Sequence, residues 1–170
     1  MTIIDFYQST LYKELMVNGP QNCTIDITNL LNEINDYWTE DNLNISLCVI
    51  CLCASHNCRE LARMFLAATP VQLLPEFPAT WFLANSAASE LTTAGLAAEA
   101  AFMLNFIGGG TMRHGYFETD NCGEDFIEFI KQNPVECRDL ANISAKIIEF
   151  HWKANCFSDS DYKLIYRLGE

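Results

Sequence analysis

Apolar residues recur at three- and four-residue intervals along most of this chain, with polar residues filling the faces between them. Ile3, Ile4, Phe6, Tyr7, Leu11, Tyr12, Leu15 and Met16 share one helical face, and Asn18-Gly19-Pro20 ends the run. The spacing returns from Asp26 with Ile27, Leu30, Leu31, Ile34, Tyr37 and Trp38, set opposite Asn32, Glu33, Asn35 and Asp36. Two amphipathic helices are expected here.

From Asn44 to Ile107 the pattern becomes apolar on all sides. Between Arg63 and Arg113 there is no Lys or Arg, and the only acids are Glu76, Glu90 and Glu99. Ordering a backbone costs about 1–2 kcal/mol per residue, and a segment this poor in charge offsets that cost only by burial. This stretch is the expected core. It divides into a helix over about 44–54, then one from Cys58 to Ala68 with Asn57 as its cap and Pro70 beyond its end. The link 71–78 is expected to be extended, because Pro75 and Pro78 do not fit a helix interior. A helix from Ala79 to about Thr92 follows, and another from Gly95 or Leu96 to Ile107, stopped by Gly108-Gly109-Gly110.

Residues 108–125 break the periodicity and predict an irregular loop, of the kind that carries function. A short helix from Phe126 to the Asn133-Pro134 stop, a longer one over 135–153 and a last piece behind Ser158-Asp159-Ser160-Asp161 complete the chain. No segment alternates with period two for long. The expected fold is therefore all-α, a single domain over residues 1–170 with about eight helices, built as stacked helix hairpins or an irregular bundle.

Charge narrows the partners. Ten basic against 22 acidic residues give a net charge of −12, which argues against nucleic acid or an anionic membrane and favours a protein with a basic surface. The 170 residues, half of them hydrophobic, suffice for an ordered core. The opening MTIIDFYQST has an acid where a signal peptide has a basic region, and the longest uncharged run, between Asp41 and Arg59, is too polar to span a bilayer. A cytoplasmic location with reduced thiols is the expectation for the eight cysteines.

Cys48, Cys51, Cys53, His56 and Cys58 form the densest set of potential ligands. A helix turns about 100° per residue, which spreads these side chains around its axis instead of converging them at the 2.0–2.3 Å that a metal requires. No metal and no cofactor are expected. The acids Glu118, Asp120, Glu124 and Asp125 lack the alternation of a calcium loop, and no Lys-Ser or Lys-Thr follows the three glycines to hold a phosphate.

Two resemblances bear on function. Cys48-Val49-Ile50-Cys51 followed by His56 resembles the C-x-x-C-x-x-x-H site of the carboxymuconolactone decarboxylase and alkylhydroperoxidase D family, which is also all-α. It implies a thiol-dependent, peroxidase-like enzyme using Cys48 and Cys51. The match is short, and Ser55 stands where that family has its histidine.

The second covers residues 44–107. Asn57 and Gly95 mark the bends of two helix pairs 38 residues apart, Ala62 and Ala100 follow each bend, and Leu66 and Leu104 come four places later. This offset resembles the tetratricopeptide repeat, whose period is about 34. Ala88 fits the small position of a first helix; Ile50 and Trp81 depart from the pattern. The resemblance implies that first helices line a concave face that binds a peptide or partner helix. Phe82, Asn85, Ser89 and Thr92 would line it, with Tyr116, Phe117, Glu118 and Asp120 on the adjoining loop. A non-enzymatic, acidic, cytosolic binding module follows, similar to secretion chaperones and adaptors. An immunity protein, antitoxin or phage-type inhibitor masking a basic enzyme is the alternative of the same kind.

Overall fold

The computed structural model describes residues 1–36, 38–107, 131–134, 138–140 and 142–144. Every described element is helical, and no strand occurs among the described residues, so the all-α class holds. In order, the α-helices are α1 (Ile3–Tyr7), α2 (Thr10–Asn18), α3 (Thr24–Asn35), α4 (Glu40–Ser55), α5 (Arg59–Ala68), α6 (Trp81–Thr93) and α7 (Ala97–Leu104).

The first apolar run makes two helices instead of one. Ser9 takes an extended backbone, its hydroxyl accepting the amide of Tyr12 and donating to Phe6 O, and this starts α2 afresh. A capping box between Thr2 and Asp5 starts α1, and the Ile3 amide donates to Asp41 Oδ1 at 3.0 Å, which ties α1 to the first turn of α4. Ile27, Leu30, Leu31 and Ile34 are buried along α3, as their spacing predicts. The capping hydroxyl of Thr39, accepting from the Asn42 amide, starts α4 four residues earlier than the apolar pattern does.

α4 and α6 form the centre and pack on each other more extensively than any other pair. Every residue from Leu43 to Ser55 is buried, and every residue from Phe82 to Leu91. A helix apolar all round has to be covered all round. α1 and α2 cover α4 on one side, while Leu140, Ile143 and Ser144 belong to the buried set, with Ser144 bonded to Ser86 and to Phe82 O on α6. Several polar residues inside these helices are paired: Ser55 donates to Leu52 O and Asn85 to Trp81 O within their own helices, and the Ser46 hydroxyl bonds that of Thr69 beyond α5, whereas buried Asn44 Oδ1 has no partner among the described residues.

α4–α5 and α6–α7 are hairpins with the same corner. Asn57 has φ +61° and Gly95 φ +85°. At the first corner Cys58 N donates to Cys53 O at 2.8 Å and Asn57 N to Ala54 O at 2.9 Å; at the second, Leu96 N reaches Leu91 O at 2.8 Å and Gly95 N reaches Thr92 O at 3.1 Å. Both are Schellman closures. Cys58 O and Leu96 O then accept the amides of Ala62 and Ala100, each at 3.1 Å. Asn57 is thus the left-handed residue that ends α4, not the N-cap of α5, which begins after Cys58 without a side-chain cap.

The link between hairpins is not extended. Val71–Glu76 and Pro78–Thr80 are 3₁₀ turns, whose bonds reach back only three residues and whose φ suits proline. Trp81 Nε1 donates to Leu74 O at 2.7 Å and pins this link to the start of α6.

Candidate functional site

Phe82, Asn85 and Ser89 are buried in α6, and only Thr92 of the four is exposed, its hydroxyl donating to Ala88 O. α4 and α6, the first helices of the two hairpins, are buried along Leu43–Ser55 and Phe82–Leu91. Tyr116, Phe117, Glu118 and Asp120, the loop 108–125 and the helical piece behind Ser158 lie outside the described residues.

The thiols inside α4 sit where chemistry is suppressed. Cys48, Cys51 and Cys53 are fully buried. Burial pushes all three up, Cys53 to about 12; at Cys51 the nearby Glu90, Cys48 and Cys53 push the same way. A reactive cysteine requires the opposite, a lowered pKa beside a base or cation. His56 caps the end of α4, and its Nε2 lies 3.0 Å from Met16 O at the end of α2. Among the described residues, no group of three or more His, Cys, Asp or Glu could hold a metal ion.

An open feature among the described residues lies on the second helices. Between α5 and α7 lies a groove of about 460 Å³, lined by Leu66, Ala67 and Val71 on one side and Ala98 and Phe102 on the other. Polar residues mark its rim, with Arg63 Nε 3.4 Å from Glu99 Oε1 across the gap. One turn back, Arg59 Nε donates to Asn57 Oδ1, and its guanidinium lies 3.9 Å from where a β-carbon on Gly95 would stand. Residues 59 and 63 of α5 therefore lie near 95 and 99 of the second hairpin at the same four-residue step.

Beyond that step the contact opens at Phe102. It is 54% exposed, with the edge of its ring toward Phe106 at 5.5 Å between centroids. α7 buries Ala100, Met103 and Leu104 and leaves Ala97, Ala98, Ala101 and Phe102 in solvent. A peripheral helix apolar on its outer face as well is the kind of patch that marks an interaction site. Sequence reasoning passed over it because α7, apolar on both faces, reads as core; the run Ala97-Ala98-Glu99-Ala100-Ala101-Phe102 held the signal.

Comparison of the chain with protein-family models, with curated proteins and with solved structures gives no match. No helix among the described residues is long and apolar enough to cross a membrane.

Proposed function

We propose that this chain is a non-enzymatic protein-binding module of chaperone or adaptor character, acting in the cytoplasm on a partner with a basic surface or segment. The observation that carries the proposal is the open apolar groove between α5 and α7, with Phe102 half exposed on its wall. A net charge of −12 adds a long-range attraction for a cationic partner, which acts on encounter rate more than on final affinity. Two corners of one design, followed by buried Ala62 and Leu66 in one hairpin and buried Ala100 and Leu104 in the other, are in keeping with tetratricopeptide-like pairs. The groove on the second helices takes the part that the resemblance assigns to the first.

Thiol chemistry has no such support, since the environment of Cys48 and Cys51 opposes thiolate formation. The test is affinity capture from the native host with the wild-type chain and a Phe102→Ser chain as baits. A protein captured by the first and lost from the second is the expected result. Recovery of the same proteins by both baits would refute the proposal for this surface. A nuclease as the captured partner would make the chain an inhibitor instead of an adaptor.

A further inference from the structure

We infer, building on the protein-binding proposal, that the occupant of the α5/α7 groove is one amphipathic helix of a basic partner, its apolar face seated on Phe102 and its cationic flanks turned to the acidic surroundings. The shape argues for a helix. The outer face of α7 offers the small side chains Ala97, Ala98 and Ala101 in a row before Phe102, so a second backbone can approach closely there, and Leu66, Ala67 and Val71 supply the facing wall.

Charge argues for the sign. Arg63, the one cation among the described residues that line the groove, bonds Glu99, and Arg59 bonds Asn57. An acidic ligand finds the remaining guanidinium N–H groups, since each arginine uses only Nε in these bonds, but it approaches against the net charge of −12. A cationic one meets Glu99, with Glu60 exposed on α5 and Glu76 exposed on the link. The Arg63–Glu99 pair is itself solvent-exposed on the arginine side, and such pairs contribute little to stability, so an incoming lysine can share Glu99 at small cost. A second copy of the chain fits less well, because two molecules of net charge −12 repel.

The experiment uses the full chain and three labelled peptides: a leucine/lysine sequence with helical amphipathic spacing, the same composition scrambled, and a leucine/glutamate counterpart. Binding is followed by fluorescence anisotropy at low and physiological salt. The wild type is expected to bind the amphipathic lysine peptide best, and Phe102→Ser and Ala98→Arg each to weaken that binding by about tenfold or more, in the range of an interface hot spot. Both substitutions lie at exposed helical positions, and unchanged thermal unfolding of each variant controls for folding.

Equal binding of the amphipathic and scrambled peptides would overturn the helix. Equal binding of the lysine and glutamate peptides, or of neither, would overturn the basic partner. Wild-type affinity in both variants would overturn the groove while leaving protein binding elsewhere on the surface intact. A dimer in sedimentation that Phe102→Ser dissolves would show a second copy to be the occupant and overturn the inference.

Discussion

Gly19 shows how much one residue decides here. Its φ is +81°, and a β-carbon added to it would lie 2.9 Å from His56 Nδ1 and 3.0 Å from His56 Cγ. The imidazole is held on Met16 O and cannot retreat without giving up that bond. Gly19→Ala is therefore expected to destabilise the protein by more than about 1 kcal/mol, from backbone strain and displaced ring together, read as a shift of the urea midpoint at unchanged slope. Tyr12 illustrates the reverse case. Its ring is buried, and its hydroxyl has no hydrogen-bond partner among the described residues. Removing an unpaired buried hydroxyl relieves a desolvation cost, so Tyr12→Phe should leave the midpoint unchanged or raise it by up to about 1 kcal/mol; a clear loss would mean that the hydroxyl is bonded in solution. The sequence shows Gly19 as a stop and His56 as a neighbour of cysteines. That the two touch follows only from the packing of α2 against the end of α4, which no local pattern encodes.

The elements were the most legible level. Periodicity placed the apolar runs that become the α-helices of residues 1–107, and the misplaced features have a common cause: short-range hydrogen bonds that apolar spacing does not register. Ser9 divides the first helix, Thr39 lengthens α4, and 3₁₀ bonding winds up a link whose prolines argued for extension. Asn57 was legible as a corner but not as a left-handed one. At φ +61° a residue other than glycine carries strain that asparagine bears better than most. Asn57→Gly is accordingly expected to match or slightly exceed wild-type stability, whereas Asn57→Ala should cost about 1 kcal/mol. Chemical denaturation of the two variants side by side checks this, and a wild-type midpoint for Asn57→Ala would mean that the corner does not depend on its φ. The groove was illegible for another reason. A sequence shows that α5 and α7 each have an apolar face; it does not show that part of those faces is left uncovered between them.

At the scale of the molecule, the buried thiols link stability to alkaline pH. With Cys48, Cys51 and Cys53 raised in the folded state, their contribution is complete below the unfolded thiol value near 9, because both states are then protonated. Above that value the unfolded chain loses protons that the folded chain keeps, so stability falls, through about 12 for Cys53. The slope is about 1.4 kcal/mol per pH unit for each such thiol. Urea midpoints should hold from pH 7 to 8 and drop steadily from pH 9 to 11, and a flat profile over that upper range would show that these thiols are open to water. For the same reason an alkylating reagent at neutral pH should modify Cys48 and Cys51 only as fast as the chain unfolds.

A final consequence follows from helices that are apolar around their whole circumference. In an open array of repeats, each unit can detach and melt on its own, because its neighbours touch it on two sides only. Here α4 and α6 are each other's solvent. Peeling one hairpin from the other would expose to water the buried faces that α4 and α6 turn to each other, so neither half is expected to be a viable fragment. Proteolysis or dissection between residues 70 and 80 should leave no folded piece, and melting should be a single event.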